Sequence, residues 1–390
     1  MPNGCLKPCE HRKIDALKVV FRADASLQIG TGHVMRCLTL ADALTALGSD
    51  CQFICREHQG NLIELIRSKG NITHVLPARA ESIDAKALAP DARKTLPAHA
   101  QWLGTSQEED AKACEQILIE LCPDWLVVDH YALDARWEVA LKPHYAKLLV
   151  IDDLADRPHD CDVLLDQTLG RIGDEYEALV PANCQKLCGS QYALLRPEFA
   201  ALRDYSLGRR VESAVRQLLI TLGGVDKDNA TGDVLEALRD CRLPANCNIT
   251  VILGPTAPWL AEVERKSQQL PWATKVLVGV TDMARLMADS DLAIGAAGST
   301  AWERCCLGLP TVMLVLADNQ RGVALGLAQA KAAEVIAEPQ AIRARLPDLL
   351  NRLIENADAL TSMSKAALSV VDGRGVEAIS EIMESTRATN

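Results

Sequence analysis

A histidine that follows two closely spaced glycines is the residue best placed to do chemistry in this chain. The stretch runs Arg22-Ala-Asp24-Ala-Ser26-Leu-Gln-Ile-Gly30-Thr-Gly32-His33-Val-Met-Arg36. An imidazole can accept a proton near neutral pH, the task of a general base. Glycines beside it let backbone N–H groups come close to a ligand. Two elements must position this histidine. Lys18–Ala23 reads as a short apolar strand, while Val34, Leu38, Ala41, Leu44 and Leu47 recur at helical spacing and Gly48 is placed to end the helix. His33 therefore stands at a helix N-terminus, where the positive end of the dipole attracts anions and disfavours imidazolium. An ordinary strand-to-helix turn with a structural histidine has the same signature, so the motif does not decide function alone.

Three further constellations carry polar groups at strand ends. Leu219-Ile-Thr-Leu-Gly223-Gly224-Val-Asp226-Lys-Asp-Asn229 repeats the strand, glycine turn and helix start in the second half. Gly223 and Gly224 can admit a phosphate, and Asp226 or Asn229 can cap the helix; a plain β–α turn would look alike. In Gly295-Ala-Ala-Gly298-Ser299-Thr300-Ala-Trp-Glu303 a strand ends in small residues and a helix follows. Glu303 fits two roles that compete for the same oxygens. It can close a capping box with Thr300, or accept from two ribose hydroxyls with phosphates at Gly298, Ser299 and Thr300. Asp318-Asn319-Gln320 can meet a sugar or cap a helix. Asp129-His130-Tyr131 ends a buried strand; either His130 or Tyr131 can line a crevice there, with His130 read as a local hydrogen-bonding residue.

The bulk numbers narrow the function classes. A chain of 390 residues, 48% hydrophobic, suggests about two domains. A net charge of −11 argues against nucleic acid as partner. The 14 cysteines include no C-x-x-C pair and read as reduced thiols of a cytoplasmic protein, so neither a metal site nor a disulfide frame is expected, and no cofactor. No apolar run reaches the ~18 residues of a membrane span, so no membrane insertion is expected. Strand signals at Val19–Arg22, Gln52–Cys55, Trp125–Asp129 and Leu148–Asp152, and again at Gln217–Leu222, Ile249–Leu253, Lys275–Val278, Leu292–Ile294 and Thr311–Val315, alternate with helical segments. That alternation predicts an α/β protein of two doubly wound parallel-sheet domains. Charged and small residues at Tyr205–Ser213 place the boundary. The division expected is a flexible extension (1–17), an N-terminal domain with the histidine loop (18–208), a C-terminal nucleotide-binding domain (209–370) and a helical tail (371–390). Ala78–His99 reads as a mobile loop or a poorly patterned helix.

Taken in order, these motifs resemble the UDP-sugar hydrolases of the pseudaminic acid pathway, the PseG family. The resemblance also rests on Trp102-Leu-Gly104, Ile151-Asp-Asp-Leu-Ala and Tyr192-Ala-Leu-Leu-Arg196-Pro-Glu-Phe199, and spans about Val19 to Gly375. It implies a glycosyltransferase-B fold similar to MurG. It implies metal-independent cleavage of UDP-2,4-diacetamido-2,4,6-trideoxy-β-L-altrose by water, with inversion, releasing UDP and the free sugar. By the same carry-over His33 is the catalytic residue and Glu303 holds the ribose. Val280 and Met283, in the loop Gly279–Met283, are candidates to read uracil. Asp24, Gly30, Gly32, Arg36, Tyr131, Arg196, Gly223, Gly224, Asp226, Gly298, Ser299, Thr300, Asn319 and Gln320 complete the expected substrate site, with Arg196 adding positive charge to the leaving diphosphate. A retaining reaction would need a nucleophilic carboxylate with an acid ~5 Å away, and no matched pair stands out. A glycosyltransferase with an organic acceptor and a silent UDP-sugar-binding protein share most of these features.

Overall fold

The computed structural model describes residues 16–78, 96–210, 214–255 and 257–385. Most of the Ala78–His99 excursion, and most of the expected extension before residue 18, lie outside the described residues. Short apolar runs form β1 (Lys18–Ala23), β2 (Asp50–Arg56), β3 (Ile72–Leu76), β4 (Trp125–Asp129), β5 (Lys147–Ile151), β6 (Val163–Asp166) and β7 (Gln185–Cys188). They make one parallel sheet in the order β3-β2-β1-β4-β5-β6-β7. A second parallel sheet holds β8 (Gln217–Thr221), β9 (Asn248–Leu253), β10 (Ala273–Val278), β11 (Leu292–Ala296), β12 (Thr311–Leu314) and β13 (Glu334–Ile336), in the order β10-β9-β8-β11-β12-β13. Central strands are buried throughout, because helices cover both faces of a parallel sheet. Each order reverses once, between β1 and β4 and between β8 and β11. Such switch points are where open α/β sheets bind ligands.

The chain passes between the two units twice, and here the expected boundaries need correction. Helix Pro197–Arg209, assigned by sequence to the first unit through residue 208, packs on the second. Phe199 is buried with Trp302 and Leu307. Arg203 donates to the carbonyls of Cys306, Val371 and Leu368, each at 2.7 Å, and Ser206 Oγ donates to Leu307 O at 2.7 Å. The physical boundary thus falls before Pro197. The tail does the reverse. In helix Gly375–Ser385, Val376, Ile379 and Met383 join the core that holds Val34, Leu38 and Trp125. Trp125 Nε1 donates to Met383 O at 3.2 Å. Gly375 is required at this return, since a Cβ there would lie 2.4 Å from Ala193 O.

The tail is therefore part of the first unit's core. Ile379→Ala should lower unfolding stability by about 2–5 kcal/mol, the usual cost of emptying a buried aliphatic site. Chemical denaturation read at the first unit's Trp125 checks this, and a change within error would show the helix to be dispensable.

Candidate active site

Loops that leave β1, β4, β8 and β11 line one cleft of about 320 Å³ between the two units. From the first unit come Gly30, Gly32, His33, Arg36, Tyr131 and Asp153, and from the second Gly223, Gly224, Asp226, Gly298, Ser299, Thr300, Asn319 and Gln320. The two lips nearly touch. A Cβ on Gly32 would lie 3.6 Å from Ser299 Oγ, and one on Gly224 would lie 3.7 Å from Thr31. Gly30 (φ +82°) and Gly223 (φ +102°) hold backbone conformations that L side chains rarely adopt. Ser26 fixes the first loop by accepting from the N–H groups of Gln28 and Ile29.

His33 is the second residue of helix Gly32–Ala46, and its Nδ1 donates to Asp129 Oδ1 at 2.6 Å. Asp129 ends β4 opposite Ala23 of β1, so the parallel register sets it directly beside the helix start. Arg36, one turn further on, donates to the same carboxylate through Nε (2.6 Å) and Nη2 (2.8 Å), and through Nη1 to Asp153 Oδ2 (2.6 Å). Burial would raise the pKa of Asp129. The Arg36 guanidinium and the His33 ring outweigh burial and hold it well below the usual carboxylate range. An ionised carboxylate has no proton to share, so Nδ1 carries the hydrogen. The other nitrogen, Nε2, has no hydrogen-bond partner among the described residues. Tyr131 stands edge-on to the ring at 4.5 Å and donates to Asp153 at 2.7 Å. Burial, with Asp153 nearby, pushes its phenol well above the ordinary value, which keeps it a donor. Trp102 stacks on Tyr131 at 5.9 Å.

Asp24, expected to touch substrate, is instead fully buried beneath the loop. It pairs with Arg22 at 2.7 Å, accepts from Arg56 N at 2.7 Å and lies 3.2 Å from His130 Nε2. Arg22 and Arg56 also meet Asp110, which accepts from Trp137 Nε1 at 3.0 Å. His130 belongs to this inner network, and its Nδ1 accepts from Ala132 N. These charges are placed to hold the loop, not to meet a ligand.

On the second unit, the capping box, one of the two roles open to Glu303, does not form. Helix Thr300–Cys306 starts one residue too early for it, with Ser299 at the cap, and Thr300 Oγ1 accepts from Arg304 instead. The Glu303 carboxyl is therefore not tied into a helix cap. Its described charge partner is Arg196, at 3.8 Å. Burial pushes the Glu303 carboxyl up to about 7, with Arg196 and Arg304 pulling the other way. Arg196 itself does not line the cleft. It donates to Thr281 O at 3.4 Å and pairs with Glu198, so Glu303 and Arg196 lie against the loop that carries Val280 and Met283. None of these four lines the cleft proper; they form a cluster next to it. The side chain of Asp226 is committed to its helix, accepting from Ala230 N and Thr231 N, each at 2.9 Å. Asn229 caps the same helix. Gln320 Oε1 accepts from Leu316 N at 2.9 Å, and helix Arg321–Gln329 has no side-chain cap, which leaves Asn319 lining the cleft.

Residues 219–380 match the glycosyltransferase family 28 C-terminal domain. The structure of Acinetobacter baumannii MurG superposes with a TM-score of 0.65 at 15% identity, covering 95% of this chain and 99% of that one. This is the glycosyltransferase-B fold. Staphylococcus aureus MnaA, in its UDP co-structure, superposes with a TM-score of 0.56 at 12% identity, covering 93% and 94%. In sequence, the chain is 28% identical over 314 residues to the Campylobacter jejuni UDP-2,4-diacetamido-2,4,6-trideoxy-β-L-altropyranose hydrolase, 80% of this chain and 97% of that protein. That likeness runs through both lobes of the glycosyltransferase-B fold. Among the described residues, no helix is long and apolar enough to cross a membrane.

Two acids at the site have no role that the residue pattern alone assigns: Asp153, which lines the cleft, and Asp129, buried behind His33. Each stands at or just beyond the end of a strand adjoining β1 or β4, and that position was the available signal. For Glu303 the sign of a pH effect follows. Below about 7 the carboxyl is protonated; above it, both oxygens accept. Uridine affinity should therefore rise as pH increases through 7 and then level off, and Glu303→Gln should flatten the profile. Calorimetry over that range checks it, and a pH-independent wild type would show that Glu303 does not meet the nucleoside.

Proposed function

We propose that the chain hydrolyses a UDP-linked diacetamido-trideoxy hexose, releasing UDP and the free sugar. The observation that carries this reading is an oriented histidine, His33, with Nε2 unpaired in the same cleft as the glycine loops of the second unit. The 28% identity to the Campylobacter jejuni hydrolase supports the choice of sugar. In this reading Glu303 accepts from the ribose hydroxyls, and the loop with Val280 and Met283 meets uracil. The diphosphate lies at Gly223, Gly224, Gly298, Ser299 and Thr300. The sugar faces Gly30, Gly32, Tyr131 and Asn319, with Arg36 behind His33. Twelve described cysteines, all unpaired, fit a reducing, cytoplasmic setting.

Water attacks the anomeric carbon as the bond to the β-phosphate oxygen breaks. His33 Nε2 takes the proton, and Asp129 stabilises the imidazolium that forms. Electrons of the broken bond leave on UDP, whose charge meets preset N–H and O–H donors. One displacement inverts the centre. A transfer to an organic acceptor is favoured as second reading by the family 28 match.

Incubation of the protein with UDP-diacetamido sugars, followed by NMR, separates the two. Hydrolysis gives UDP and inverted free sugar without any acceptor; no release until an acceptor is added would favour transfer. His33→Ala should abolish most turnover while UDP still binds. Asp129→Asn should lower kcat by roughly 10²–10⁴-fold, the range for a misplaced general base, with little change in UDP affinity. Near-normal rates in both variants would assign the base elsewhere.

A further inference from the structure

Arg304 is a buried guanidinium with no carboxylate within 4 Å among the described residues, and it is 1% exposed. Arg22, Arg36 and Arg157, also buried, each pair with an aspartate. Arg304 has only neutral partners: Nη2 donates to Ala296 O at 2.7 Å and Nη1 to Thr300 Oγ1 at 3.1 Å, while Nε has none. Burial pulls its pKa down to about 10, so it keeps its charge at neutral pH. The charge of its sequence neighbour Glu303 opposes that fall, but the two side chains form no ion pair. An uncompensated buried charge is costly, and a position that needed only bulk would take an apolar residue.

The loop Gly295–Thr300 wraps this group. A Cβ on Gly295 would lie 2.5 Å from Nη1, so glycine is what admits the guanidinium. Ala296 and Thr300, the two residues it bonds, both line the cleft. The positive charge thus stands one residue's thickness behind the surface on which the diphosphate is placed above. Because Arg304 donates to Thr300 Oγ1, the hydroxyl's own hydrogen is left for an acceptor in the cleft. We propose that Arg304 is a positioning residue for the nucleotide diphosphate, a fixed counter-charge behind the loop that also turns the Thr300 hydroxyl into a donor toward the ligand. The proposal rests on the UDP reading of the cleft. It adds a device for binding the anion without a side-chain cation at its surface.

The test is the ratio of uridine to UDP dissociation constants, measured by calorimetry for wild type, Arg304→Met and Arg304→Gln. Both ligands carry the same ribose, so the ratio cancels any change at Glu303. The expected result is a UDP preference reduced about tenfold or more in both variants, as loss of a nearby buried charge implies, with uridine binding kept. Gln retains a donor for Ala296 O and carries the test if the Met variant does not fold. An unchanged ratio would overturn the proposal and leave Arg304 a packing residue. A wild type that binds UDP no better than uridine would bring down the diphosphate site itself, and this proposal with it.

Discussion

The carboxylate of Asp129 is the point on which the first lobe's chemistry turns. It sits where a parallel strand ends beside the start of a helix, and it receives His33 and Arg36 at once. Two cationic or potentially cationic groups on one buried anion leave little freedom. His33 cannot rotate away without leaving Asp129 with an unmet lone pair, and Arg36 carries the constraint on to Asp153 and Tyr131. Breaking such a buried set by removing one partner strands the others in a low-dielectric interior. The ring is held in one tautomer and one orientation by electrostatics, before any ligand arrives.

The two lobes solve different physical problems. The first presents directed side chains, each braced from behind; even the Arg22–Asp24–Asp110 network, out of reach of ligand, serves that bracing. The second presents glycines with Ser299, Thr300 and Asn319 along its lip, while Glu303 is set back and Asp226 and Asn229 are tied to a helix start. A chain with net charge −11 must draw an anion by local means. Loops of this kind do it with backbone and placed hydroxyls, where a surface patch of lysines would do it less selectively.

Much of this was legible in the residues. Strands β1, β2, β4, β5, β8, β9, β10, β11 and β12 announce themselves as short apolar runs, and the glycine turns after β1 and β8 mark the switch points. Strands β3, β6, β7 and β13 are missing from the sequence reading. They are three to five residues long, and β3 and β7 carry polar residues on half-exposed edges, so pairing and not local pattern decides them. The roles of Asp24 and Asp129 were hard to tell apart for a related reason. Both are acids at strand ends, and only the three-dimensional register shows that one faces inward to Arg22 and the other sideways to His33. At Thr300–Glu303 the residues leave a capping box and a ligand role both open, and the helix start at Thr300, which composition does not encode, removes the first.

The double crossing between lobes has a mechanical consequence. Helix Pro197–Arg209 belongs by packing to the second lobe and helix Gly375–Ser385 to the first, so the lobes are joined at two short, adjoining spans of backbone. Gly375 presses against Ala193 where those spans meet. Two bodies tied along one seam keep a single easy degree of freedom, a rotation about that seam. Opening of the jaws at the far side, between Gly32 and Ser299, is the motion such a joint permits, while sliding or twisting of one lobe on the other is resisted.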